Sequence, residues 1–361
     1  MPKLNGNKGE WSEIYVFLRL LEIGKLYAAD ADLNKMDDVF YNIIHIIRTE
    51  GTDLLEFQID RSSGMVSVVK AGSVLASFPF DEFKQAADHL YNEIVAANTS
   101  SFSVQETEDF LDELSVHTLK AKSTDKSDIK IKIHDIDTGI DSVQGFSIKS
   151  RLGSPSTLIN AGKTTNFIYE VTGPVTDSVM NEFNTCSNMF RERFAVLART
   201  GCDIAYSRME NDTFESNLLL IDGDLPKICA NMLKAFFADG TAIVSTSLNN
   251  MVATNPMGYN LTKGHPFYHY KFKKLLSECA LGMLPSKTWD GTADATGGYI
   301  VVREDGEVLC YHLFNYNEFE NYLLNNTKFE TGSTSRHQFG RIYKDNDKYY
   351  LKLNLQIRFI R

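Results

Sequence analysis

The run KSDIKIKIHDIDTGIDSVQGFSIKS, residues 126 to 150, alternates apolar and polar side chains over two stretches joined by turn-forming residues. Ile129, Ile131 and Ile133 share one face of an extended segment, and Asp128, Lys130, Lys132 and His134 share the other. The return segment repeats the pattern: Phe146 and Ile148 belong to the apolar side, Ser147 and Lys149 to the polar side. DIDTGIDS between them reads as the turn, with Asp135, Asp137 and Asp141 as turn residues. A hairpin folded in this way brings Asp128, Ser147 and Lys149 onto one side. Phosphodiester hydrolysis has a use for that set. A carboxylate holds a divalent metal that polarises phosphate and acidifies water, and a cation orients the nucleophile and offsets developing charge. Asp128 is the candidate ligand and Lys149 the candidate cation.

Working outward, Trp11, Ile14, Tyr15, Leu18 and Leu21 recur at helical spacing and Gly24 closes that segment. VFYNIIHII (39–47), LLEFQI (54–59), MVSVV (65–69) and SVLASF (73–78) read as strands, and 81–97 as a helix. SVQE at 103–106 has capping-box spacing and predicts a helix, capped by Ser103, that runs to about Leu114. NMLKAFFADG (231–240) and KFKKLLSECALGM (271–283) read as helices. GYIVVRED and EVLCYHLF read as a hairpin turning at Asp305 and Gly306, and the last 20 residues as strands. The expected class is mixed α/β, with neither internal repeat nor long linker.

Composition narrows the function. With 361 residues, 43% hydrophobic, 11% aromatic and 23% charged, the chain has the make-up of a soluble globular protein. No run approaches the roughly 18 apolar residues of a membrane span, and MPKLNGNKGEW lacks the apolar centre of a secretion signal, so a cytoplasmic location is expected. The closest two of the five cysteines stand 16 apart, which excludes a CxxC site and suggests reduced, mostly buried thiols. Net charge is -10, yet the deficit is local: residues 1–116 carry 9 basic and 20 acidic side chains, and the remainder 28 and 27. Within that remainder, 117–165 has eight Lys or Arg against five Asp, and 328–361 has eight against three acids. Two basic segments are therefore available to a polyanion. We expect an acidic N-terminal region, 1–100, whose first helix is available to the catalytic core, and a catalytic and DNA-recognition region, 101–361.

The hairpin resembles the PD-(D/E)-x-K nuclease core, in which an Asp at a strand start is followed on the next strand by an acid, any residue and Lys. Eighteen residues lie between Asp128 and Ser147. Ser147 departs from the pattern, standing where the second acid belongs. The resemblance implies that such a neutral residue is tolerated when the backbone carbonyl of the next one, here Ile148, serves the metal. More specifically, GFSIKSRLGSPSTLINAGKTTNFIYEV (145–171), NKGEWSEIYVFLRLLEIGKLYAADADLN (7–34) and the run from Thr288 to Phe359 resemble the HpaII family of type II restriction endonucleases. The likeness spans nearly the whole chain. It implies a restriction-endonuclease-like central mixed sheet flanked by helices, with further β-rich elaborations. It also implies Mg²⁺-dependent, sequence-specific cleavage of double-stranded DNA containing CCGG, and a companion DNA methyltransferase in the cell. A palindromic target favours a symmetric homodimer with one active site per strand; the alternative is a monomer that cuts the strands in succession.

Glu13, in a Gly9-x-x-x-Glu13 setting on the first helix, resembles the acid that reaches the metal shell in nucleases of this core; Glu113 competes for that role. G·C pairs are read by Arg or Lys donating to guanine O6 and N7. Arg336, His337 and Gln338 concentrate donors in a basic segment, and Arg151, Asn160, Lys163 and Asn166 follow the candidate catalytic strand. AGKTT at 161–165 suggests a P-loop, but Thr157 occupies the place of its first glycine. His265 and His269 have metal-pair spacing without the glutamate of HExxH, and no G-x-S-x-G elbow occurs. The alternatives to an endonuclease are a DNA-binding protein on the same fold without catalysis and a nucleotide-binding regulator built on Gly162, Lys163 and Thr164.

Overall fold

A computed structural model describes residues 4–120, 127–136 and 139–360. In chain order the helices are α1 (Lys8–Ile23), α2 (Phe80–Ala96), α3 (Gln105–Glu113), α4 (Asp177–Thr185), α5 (Phe190–Arg199), α6 (Asp212–Ile221), α7 (Leu225–Asp239), α8 (Val244–Thr254), α9 (Phe267–Leu281), α10 (Tyr316–Asn325) and the single turn α11 (Thr334–His337). The strands are β1 (Lys25–Ala29), β2 (Lys35–Glu50), β3 (Asp53–Asp60), β4 (Met65–Lys70), β5 (Ser73–Pro79), β6 (Ile129–His134), β7 (Asp141–Ser150), β8 (Thr157–Ile159), β9 (Asn166–Thr172), β10 (Asp203–Met209), β11 (Gly298–Val302), β12 (Val308–His312), β13 (Thr327–Phe329), β14 (Ile342–Asp345), β15 (Lys348–Asn354) and β16 (Ile357–Phe359). The fold is mixed α/β. No helix among the described residues is long and apolar enough to cross a membrane.

Contacts group the chain into Met1–Ser156 with Ala293–Tyr322, and Thr157–Thr292 with Leu323–Arg361. The first unit holds a nine-stranded sheet in the order β1-β12-β11-β7-β6-β2-β3-β4-β5, parallel at β1–β12 and β11–β7 and antiparallel elsewhere. β2 is long enough to pair with β1 through its first half and with β6 and β3 through its second. The order from β1 to β2 therefore closes on itself. Against this sheet packs α1, whose Trp11, Ile14, Tyr15, Val16, Phe17, Leu18, Leu20 and Leu21 are all buried. A helix so apolar around its circumference is stable only when enclosed, and the isoleucines of β6 with Phe146 and Ile148 of β7 belong to the same core. Truncating one of these side chains, as in Leu18→Ala, costs about 2–5 kcal/mol.

The second unit has a four-stranded sheet, β10-β9-β15-β14, and a three-stranded one, β13-β16-β8. Its helices include α7, which carries eight buried residues.

One local expectation is corrected. Ser103 does not cap α3: the helix begins at Gln105, its N-cap is Val104, and no side chain bonds the cap. The reason is tertiary. Phe102 pairs with Gly6 as a β-bridge and its carbonyl accepts from Trp11 Nε1 at 2.9 Å, which holds this segment extended and shifts the helix start by one residue. The capping box forms instead at α1, where Asn7 Oδ1 accepts from Glu10 N–H at 3.1 Å and Glu10 Oε2 from Asn7 N–H at 2.7 Å.

His312, at the end of β12, is buried with its ring centroid 4.6 Å from that of Tyr41 and 5.7 Å from that of Phe146. Burial lowers its pKa from 6.5 to about 4, against the pull of Asp135. The unfolded chain takes up this proton first, so the stabilisation is complete above about pH 6.5 and is lost as pH falls toward 4. His312→Gln should flatten the acid limb of a stability-versus-pH profile over that window by up to about 3 kcal/mol. Parallel acid limbs in the two proteins would show that the native state tolerates a charged His312.

Candidate nuclease site

Register positions the site. β6 and β7 pair with Ile129 opposite Phe146, so the next step toward the start of β6 sets Asp128 beside Ser147. Asp128 N–H still bonds Phe146 C=O at 2.9 Å, and there the ladder ends. Along β7 the backbone groups of alternate residues face alternate neighbours. Phe146 and Ile148 face β6, and Gly145 faces the β11 side through the bond from Gly297 N–H. Ile148 therefore extends past the start of β6 with no strand opposite among the described residues. Its N–H donates to Asp128 Oδ2 at 2.7 Å, and Ser147 Oγ donates to the same oxygen at 3.1 Å. The Ile148 carbonyl lies on that same edge.

Lys149 follows on the Ser147 side of β7, its Nζ 5.2 Å from the Tyr299 ring centroid. Burial lowers the Lys149 pKa from its ordinary 10.5; Asp128 first, then Glu13, oppose that shift without cancelling it. Glu13 comes from the second turn of α1, the helix whose start the Asn7 cap fixes. Its carboxyl is raised from 4.5 to about 8, first by burial and next by the charge of Asp128, while Lys120 and Arg48 pull the other way. Asp128, Lys149 and Glu13 thus form one electrostatic group. Glu113 is exposed at the end of α3, and nothing links it to the charges at Asp128.

Arg48 at the end of β2 was not legible as a site residue. Its Nε bonds Glu50 at 2.6 Å and its Nη2 bonds Thr118 O; Glu50 also accepts from His117 N–H and from the Thr118 hydroxyl. This network ties the segment after α3 to β2 beside Glu13. A cavity of about 280 Å³ opens here, lined among others by Arg48, Ser127, Asp128, Lys130 and Val143. Lys130 faces it because it stands two residues from Asp128 on one strand face.

Among the described residues no three His, Cys, Asp or Glu gather around one metal position. The donors present are two carboxylates and a backbone carbonyl, all hard oxygens. Mg²⁺ binds through one or two carboxylates and keeps several waters. The set fits that ion and does not suit zinc, which prefers His and Cys.

Of the remaining sequence candidates, Arg151 is half-buried in the first unit and hydrogen-bonds Tyr322. The others belong to the second unit. Asn160, Lys163, Arg336 and Gln338 are exposed, and His337 is half-buried. Asn166 is corrected. It is fully buried, donating to Glu210 Oε2 at 2.7 Å and His337 O at 2.9 Å and accepting from Asn354 Nδ2 at 2.7 Å. Its amide braces the chain and has no face left for a base. The AGKTT motif is a 3₁₀ turn at Lys163–Thr165 leading into β9, so the helix start that cradles phosphate in a P-loop is missing. Asp135 and Asp141 flank the β6–β7 turn, with Asp141 bonded to His134 at 2.8 Å; Asp137 lies outside the described residues. His269 bonds Asn249, and His265 packs against Phe267. All five cysteines are free, four of them buried.

A hydrogen-bonded carboxylate beside a desolvated lysine is a combination that phosphodiester hydrolysis can use, and comparison with known proteins specifies the class. Residues 7–359 match the family model described as HpaII restriction endonuclease. Over 357 residues the chain is 40% identical to the type II restriction enzyme HpaII of Haemophilus parainfluenzae, covering 99% of each. No solved structure matches. The chain belongs to the HpaII restriction endonuclease family and is a type II site-specific deoxyribonuclease. This sets aside both the non-catalytic DNA-binding protein and the nucleotide-binding regulator.

Ser147→Ala removes one of two hydrogen bonds to Asp128 Oδ2 and leaves the Ile148 N–H. Single-turnover cleavage should fall by about tenfold, the worth of one such bond, with a higher Mg²⁺ requirement. A loss as deep as that of Asp128 variants would make Ser147 itself a participant.

Proposed function

We propose that this enzyme cuts duplex DNA containing CCGG with Mg²⁺ as cofactor, on a restriction-endonuclease-like core of the PD-(D/E)-x-K type. The observation that carries the reading is the Asp128 carboxylate, gripped by Ile148 N–H and Ser147 at the open end of β6, within the field of Lys149. Asp128, the Ile148 carbonyl and Glu13 would hold Mg²⁺, which when bound polarises the phosphate and lowers the pKa of a coordinated water.

The chain's own groups do the rest. Both hydrogen bonds to Asp128 converge on Oδ2, so Oδ1 is the oxygen left to a ligand. Lys149 orients the attacking water and offsets charge on the phosphate oxygens. Its lowered pKa enlarges the neutral fraction able to take a proton from that water. Arg151, Asn160, Lys163, Arg336, His337 and Gln338 supply contacts to phosphates or bases. A homodimer, with one site per strand of a palindrome, and a companion methyltransferase that protects the host's own CCGG sites complete the proposal.

Incubation with plasmid and Mg²⁺ should give discrete fragments ending at CCGG. Asp128→Asn and Lys149→Met should each lower cleavage on the order of 10³-fold or more while a CCGG duplex is still retarded in a gel. Full activity in either variant would remove that residue from the chemistry.

A further inference from the structure

A second cavity, of about 430 Å³, lies in the second unit beside α11, lined among others by Asn188, Ser335, Gln338, Arg341, Tyr343 and Lys352. Three cations surround it, and two are committed. Arg193 donates to Ser187 O at 2.7 Å and Gly340 O at 2.6 Å, and Lys352 is paired with Glu210 at 2.6 Å. Arg341 is exposed, and no carboxylate among the described residues pairs with it. The charge of Arg341 disfavours that of its neighbour Arg193, so this side of the cavity is electropositive.

The backbone carrying Arg341 is held on both sides. Gly340 N–H donates to Lys352 O at 2.8 Å, and Ile342 N–H to Asn184 Oδ1 at 2.8 Å. Gly340 has φ +83°, and a Cβ there would meet the Phe190 ring at 2.7 Å, so only glycine permits this close approach. A fixed backbone presenting an exposed guanidinium that no carboxylate among the described residues neutralises is preorganised to meet an acceptor group on a ligand.

We propose that Arg341 is a specificity-determining residue, donating through its two-pronged guanidinium to O6 and N7 of a guanine in the target. This inference rests on the CCGG reading above. Phosphate would satisfy the same charge, but the amide and hydroxyl groups of Asn188, Gln338 and Ser335 around the Arg suit a base edge, which offers donors as well as acceptors.

The test measures binding and cleavage by the full chain on duplexes containing CCGG or a single-base variant, each with guanine or with 7-deazaguanine, which lacks the N7 acceptor. Arg341→Ala should lower discrimination between CCGG and the variants by roughly 10- to 100-fold. 7-Deazaguanine at one position should weaken wild-type binding and have no further effect on Arg341→Ala. Arg341→Lys keeps the charge but not the fork, and should retain affinity for non-cognate duplex while losing discrimination. A uniform loss across all sequences, a salt slope smaller by about one, and additive effects of Arg341→Ala and 7-deazaguanine would overturn the assignment in favour of a phosphate contact. Unchanged discrimination in Arg341→Ala, beside a wild type that cuts CCGG, would overturn it while sparing the function. A wild type that neither binds nor cuts CCGG duplex would remove both.

Discussion

The site depends on a mismatch in strand length. β7 continues past the point where β6 begins, so Ile148 has a backbone N–H and a carbonyl with no strand among the described residues to receive them. An unmet backbone donor in a half-enclosed place is expensive, and the carboxylate of Asp128 satisfies it. The same overhang leaves the Ile148 carbonyl on the edge where Asp128 sits. One frayed ladder thus fixes the orientation of an acid.

Charge at this place is balanced on a small margin. Lys149 and Glu13 are both displaced toward their neutral forms by burial, one downward and one upward from its ordinary value. Each is drawn back by opposite charges nearby. Such paired displacement is typical of sites that move protons. Arg48, anchored by Glu50 and Thr118 and lining the cavity beside Asp128, is one of the cations that draw Glu13 back toward its charged form.

The β6–β7 hairpin was legible because its alternation is nearly perfect and its turn is rich in Asp and Gly. The α1 core was legible from helical periodicity, and the β11–β12 hairpin from Asp305 and Gly306. What local patterns could not reveal was set by distant contacts. The start of α3 moved because Phe102 is tied to Gly6 and Trp11. Asn166 looked like a surface amide until Glu210, His337 and Asn354 closed around it. Arg341 carried no motif, and its interest arises from its place beside a cavity with no carboxylate partner among the described residues, which spacing along the chain does not encode. Nor did composition indicate that Ala293–Tyr322 would return to the first unit.

That return has a temporal consequence. β7 is flanked on one side by β6, only a short turn away in sequence, and on the other by β11, which begins at Gly298. Pairing across so long a stretch of chain is slow to form. A nascent polypeptide still on the ribosome lacks β11 and β12, hence the Tyr299 ring beneath Lys149 and one wall of the sheet that aligns Ser147. The order of synthesis therefore holds back completion of this sheet until the residues of β11 and β12 have been made.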